Sequence, residues 1–140
     1  MSTSTMRAQP LAIRGEQGFL RMALRTDGWG TGAFGVVLLA GAVALRDPLG
    51  LPTAWSIPFG VAMVGGGLAL LLIAGYPVIA VRQAATVVVV NAISAVGMVA
   101  LAYSGLIDLT GLGVAFCWVG AAVVGAFAAL EYTGLRKLRA

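Results

Sequence analysis

Apolar and polar positions alternate in blocks along this chain, and the blocks are of membrane-crossing length. Four apolar stretches, about 29–45, 57–80, 84–106 and 109–132, are separated by short polar or helix-breaking segments. At about 1.5 Å of rise per residue, a helix of some 20 apolar residues crosses a hydrocarbon layer about 30 Å thick. The first stretch is short by that measure and the other three are ample. The pattern predicts an all-α protein, a transmembrane four-helix bundle preceded by a short amphipathic helix at the membrane surface.

The breaks between blocks are specific. Arg46-Asp47-Pro48-Leu49-Gly50-Leu51-Pro52 joins a charged pair, two prolines and a glycine, which marks a loop. Ser56 is expected to cap the second span with Pro58 in its first turn, and Pro77 is expected to end that span near Tyr76. Arg82 and Gln83 interrupt the apolar run only briefly, so spans two and three are expected to form an antiparallel hairpin packed against one another. Ser104 to Asp108 leads into the fourth span, with Asp108 or Thr110 as its cap.

Before the first span, residues 1–10 are polar and carry a proline, and are expected to be a mobile tail. Over 11–26, Arg14, Arg21 and Arg25 share one helical face while Ile13, Leu20 and Leu24 share another. That is the pattern of a basic amphipathic helix at an anionic headgroup layer. Thr26 or Asp27 is then expected to cap the first span. Residues 27–140 form the transmembrane domain.

Composition narrows the function classes. The chain has 140 residues, 60% of them hydrophobic and 10% charged, against roughly 25% charged in soluble domains. Its mean hydropathy is +0.99. No segment is long enough for a separate soluble catalytic domain. The net charge of +4 comes from arginines and lysines that flank apolar spans, so it speaks for membrane orientation and against nucleic acid. Across four spans, Arg7, Arg14, Arg21, Arg25, Arg82, Arg136, Lys137 and Arg139 fall on one side and Arg46 alone on the other, which puts both termini in the cytoplasm and the chain in a cell (inner) membrane.

The candidate chemistry is sparse. There is no histidine, which removes the usual haem and zinc ligands and the most frequent general base. No metal or cofactor is expected, and no nucleophile, base and orienting group can be assembled, so the chain is expected not to be an enzyme. The run DGWGTG at 27–32 lacks both a preceding strand and a GK[ST] ending, so it is not a phosphate-binding loop.

Three features remain. The fourth span is expected to organise the bundle, because Gly113, Cys117, Ala121, Gly125 and Ala129 recur every fourth position and offer a side where another backbone can approach. Asn91 lies nine residues beyond Arg82, roughly 13 Å deep at helical rise. With Ser94 on the same face it is expected to meet protein, either joining helices or binding a ligand. Glu131, near the end of the fourth span, needs a cation there. Arg82, Arg25 and Arg136 lie at similar depth, and an ion pair, with Arg82 first among them, is the expected reading over a proton-coupling carboxylate.

Several of these residues together resemble small four-helix integral membrane proteins of bacteria with Ala/Gly/Val-rich proteomes, a family without assigned activity. They are Arg25-Thr26-Asp27 before Gly32 and Gly35, Leu49-Gly50-Leu51-Pro52, Asn91, Leu109-Thr110 with Gly113, and Glu131 before Gly134-Leu135-Arg136. The resemblance implies a topology and no activity. In size and span number the chain is also similar to small multidrug resistance transporters, but it lacks the glutamate those carry within the first span.

The expectation is a non-enzymatic membrane protein whose partners are the lipid bilayer and either further copies of itself or a larger membrane complex. The second reading is a small transporter or lipid-binding protein with a cavity near Asn91.

Overall fold

The computed structural model describes residues 17–139. The mobile tail and the first part of the amphipathic segment, residues 11–16, lie outside the described residues. The described chain is entirely helical: α1 (Gly18–Ala40), α2 (Ala42–Leu49), α3 (Thr53–Ala74), α4 (Val81–Tyr103) and α5 (Gly111–Arg139). Among these, α3, α4 and α5 are long and apolar enough to cross a membrane. Helices α1 and α2 meet that criterion only as a pair, and they are bent by 86° at their junction.

That junction falls inside the expected first span over 29–45 and bends it. Helix α1 is continuous from Gly18, so Arg25, Thr26 and Asp27 lie inside it, and neither Thr26 nor Asp27 is a cap. The helix ends at Gly41, and a Cβ there would lie 2.9 Å from the carbonyl oxygen of Val37. The bend therefore needs glycine. Helix α2 ends at Gly50, whose φ of 66° is the left-handed conformation that glycine adopts without a Cβ penalty.

The order of packing also differs from the expected hairpin. Helix α3 packs along α1 and α4 packs along α5, and α1 meets α5 between the two pairs. A link of Gly75 to Ala80 between α3 and α4 spans from one pair to the other. Helix α3 begins at Thr53, not at Ser56, which places Pro58 in the second turn and buries the Ser56 hydroxyl without a hydrogen-bond partner. It stops at Ala74, before Pro77, as the sequence predicts.

Glycine makes the α1–α3 contact possible. A Cβ on Gly35 would meet the Gly60 carbonyl oxygen at 2.8 Å, and one on Gly67 would meet the Gly28 carbonyl oxygen at 2.7 Å and the Gly32 nitrogen at 2.8 Å. Backbone here touches backbone, the geometry that small residues permit in membrane helices. Of the three consecutive glycines in α3, only Gly67 is used in this way; Gly65 and Gly66 face open space.

Two apolar clusters close the ends. One joins Leu20 and Leu24 of α1, Leu70 and Ala74 of α3, Ile79 of the link after α3, Ala84 and Val87 of α4, and Leu135 of α5. The other gathers Leu38, Leu49, Leu51 and Ile107. At this second end α2 and α5 interlock: the Thr110 amide donates to the Leu49 carbonyl at 3.0 Å, its hydroxyl donates to the Pro48 carbonyl at 2.6 Å, and the same hydroxyl oxygen caps α5 by accepting from the Gly113 amide at 3.1 Å. A Cβ on Gly113 would collide with the Leu49 carbonyl. The period-four stripe of α5 does not stay at an interface throughout. Four residues turn a helix about 40° past a full revolution, so Gly113 and Ala121 are buried, Cys117 and Gly125 half-buried and Ala129 exposed.

This packing predicts opposite outcomes for adjacent glycines. Gly67→Ala should destabilise the fold by about 1–3 kcal/mol, because its methyl meets rigid backbone. Gly66→Ala should leave stability unchanged or raised by up to about 1 kcal/mol, from helix propensity. Unfolding in mixed detergent micelles measures both.

Candidate functional site

Polar side chains of α1 recur along its length, and each one the structure buries is answered by another element. Gln17, 3% exposed, donates from Nε2 to the Ile79 carbonyl at 3.0 Å and accepts from the Ile79 amide at 2.9 Å. One turn on, the Arg21 guanidinium donates to the carbonyls of Ala74, Tyr76 (2.6 Å) and Pro77 (3.3 Å), capping the C-terminus of α3. A cation there also meets the negative end of the helix dipole. Arg21 therefore serves a protein contact where a headgroup contact was expected.

Asp27 comes next. It is 1% exposed, although it is the tenth residue of α1. Its Oδ1 accepts from the Thr31 hydroxyl at 2.7 Å, a bond within one helical turn. Its Oδ2 accepts from Asn91 Nδ2 of α4 at 2.7 Å. The same nitrogen donates to Glu131 Oε2 of α5 at 2.8 Å. One amide group, with its two hydrogens, thus joins carboxyls from two other helices. Asn91 is half-buried, whereas Glu131 is fully enclosed and its Oε1 has no hydrogen-bond partner.

The expected ion pair of Glu131 with Arg82 does not form. Arg82 is exposed, and the ion pair found among the described residues is Arg46 with Asp47 at 3.3 Å, on the surface. The reason is register: Arg82 lies at the start of α4, nine residues before Asn91, and it is Asn91 that reaches the level of Glu131. Ser94 shares the Asn91 side of α4 and is half-buried, but the described hydrogen bonds of the cluster do not include it. Gly113, Cys117, Ala121 and Gly125 belong to the packing of α5 and lie away from these bonds. Helix position alone had made Asp27 look like a cap. The signal that could have found it is its place four residues before Thr31 and one turn after Leu24 on a buried face.

The surroundings of the cluster are unequal on its two sides. One turn toward the basic end, Leu24, Val87 and Leu135 are all buried. One turn the other way lie Thr31, Ser94 and Ala95, half-buried and smaller. From Ala95 an open apolar groove of about 540 Å³ runs between α4 and α5, lined by Ala95, Val96, Val99 and Ala100 on one side and Trp118, Ala121 and Ala122 on the other. At its far end the Trp118 indole N–H donates to the Tyr103 hydroxyl at 2.9 Å. Among the described residues no group of His, Cys, Asp and Glu side chains is placed to hold a metal ion.

Truncating the bridge should therefore be costly to the fold. Asn91→Leu leaves two enclosed carboxyls without their shared donor, and the expected loss is about 1–3 kcal/mol of stability. Replacing all three polar side chains together by apolar ones of similar volume should restore most of it. Detergent unfolding midpoints of the single and triple variants measure the difference.

Comparison of the chain with protein-family models, with curated proteins and with solved structures gives no match.

Proposed function

We propose that the chain is a four-span inner-membrane protein that binds and moves a small amphipathic molecule, without catalysing a reaction on it. The observation that supports this most is the placement of an enclosed polar cluster, Asp27, Asn91 and Glu131, one turn from an apolar groove of ligand size. Ionisable residues within membrane helices are expensive and cluster at solute and ion pathways. A polar head beside Asn91 with an apolar body along Ala95, Ala121 and Trp118 uses both parts.

In this reading α1 and α2 act together as the first span, with α2 turned across one end of the bundle. Arg21, Arg25, Arg82, Arg136 and Lys137 gather at the opposite end, and the positive-inside effect makes that end cytoplasmic together with both termini.

A second reading, an oligomer or accessory subunit of a larger membrane complex, draws on different residues. A Cβ on Gly65 or Gly66 of α3, or on Gly97 of α4, would meet nothing among the described residues. A helix from another chain can approach closely at such positions.

One experiment addresses both. Native mass spectrometry of the protein, extracted gently from its own membrane, should show a retained lipid or small molecule on the wild-type chain. Ala121→Phe, which fills the groove, should reduce that occupancy at least about tenfold, the effect of losing about 1.4 kcal/mol of binding. A bare chain bound stoichiometrically to another protein would favour the second reading.

A further inference from the structure

Every oxygen of the two enclosed carboxyls but one is occupied. Asp27 Oδ1 takes the Thr31 hydroxyl, and Asp27 Oδ2 and Glu131 Oε2 take the two hydrogens of Asn91 Nδ2. Glu131 Oε1 is enclosed and accepts nothing. If both carboxyls were ionised, two negative charges would share one neutral amide. Two such charges at this range, with little water, repel strongly.

No described cation offsets them. On α1, Arg21 is engaged with the end of α3 and Arg25 is exposed. On α4, Arg82 is exposed. On α5, Arg136 lies over the Tyr132 ring and Lys137 over the Phe19 ring, 4.3 Å from its centre. Cys117 lies several turns away along α5, and α3 carries no titratable side chain.

The position left open selects the cation. Hard metal ions take several oxygen ligands at once, six or more for calcium, whereas a proton needs one oxygen and no cavity. We propose that the cluster is a proton-binding site, with an exchangeable proton on Glu131 Oε1. Both Asp27 oxygens already accept, from Thr31 and Asn91, while a neutral acid at Glu131 avoids a second enclosed charge. Binding converts the Glu131 carboxylate and one proton into the carboxylic acid, and release returns the proton to water. Release also places a second negative charge across the junction of α1, α4 and α5, so occupancy by the proton biases how those helices sit. This rests on the transport reading for its purpose and makes the proton the coupling ion of that site.

The test is infrared spectroscopy of the full chain in lipid vesicles, following the carbonyl stretch of a protonated carboxylic acid and its shift in D2O, from pH 5 to pH 9. The expected result is a band present at neutral pH, absent in Glu131→Gln and retained in Gln83→Ala, a control outside the cluster. Absence of the band in the wild type, or its persistence in Glu131→Gln, overturns the assignment.

Stability supplies a readout that does not need the variant. A proton held in the folded state and released on unfolding makes the unfolding equilibrium constant rise with pH, by up to tenfold per unit. The histidine-free sequence leaves the range between pH 6 and pH 8 nearly clear of other side-chain titrations. A flat profile there overturns the proposal.

The two readings fail separately. A retained amphipathic molecule without the carboxylic acid band removes the proton and leaves binding. The band without any retained molecule leaves a proton site and removes the amphipathic substrate.

Discussion

A polar side chain enclosed in a membrane protein has to find its partner within the protein, since hydrocarbon supplies none. Helix α1 concentrates that demand. Gln17 just before its first turn, and Arg21, Asp27 and Thr31 within it, follow in sequence, and every long helix of the fold is tied to one of them. Gln17 holds Ile79 in the link between α3 and α4. Arg21 caps α3. Asp27 holds α4 through Asn91, and through the same amide reaches α5. The fold is arranged around a polar-lined helix, and the three apolar helices are tied to it directly or through the Asn91 amide.

Glycine lets those bonds form at the distances they need. Gly28, Gly32 and Gly35 bring α1 against Gly60 and Gly67 of α3 with backbone in contact, and Gly134 of α5 comes against Leu20 of α1, where a Cβ would lie 3.0 Å from the Leu20 Cα. Polar pairing and close backbone approach are thus the same event seen at two places on α1. The glycines set how near the helices lie, and the polar groups set their register. At the far end, the joint of Leu49, Gly50, Thr110 and Gly113 performs the equivalent function for α2 and α5.

The cluster follows from this construction. Three helices contribute one polar residue each at a common level, with buried Leu24, Val87 and Leu135 on one side and smaller residues on the other. A purely structural bridge would be complete with one carboxyl and one amide. The second carboxyl adds an uncompensated group and leaves an enclosed oxygen without a donor. That surplus is what separates the cluster from the bonds of Gln17 and Arg21, which are satisfied on both sides.

The amino-acid sequence by itself determined the helical class and the three helices fit to cross a membrane, and it narrowed the cap of the last helix to Asp108 or Thr110, because hydropathy, breakers and capping act within a few residues of one another. It also singled out Asn91, since an amide deep in an apolar run has no local partner. It could not say which partner that would be. Asp27 looked like a cap and Glu131 like the partner of Arg82, because one-dimensional spacing places residues along a helix axis and says nothing about which helices are neighbours. The 86° turn at Gly41, the pairing of α3 with α1 instead of α4, and the drift of the α5 stripe away from its interface were decided by tertiary packing. The meeting of Asp27, Asn91 and Glu131 belongs there too, because contacts between residues 40 and 64 positions apart exist only once the helices have chosen their neighbours.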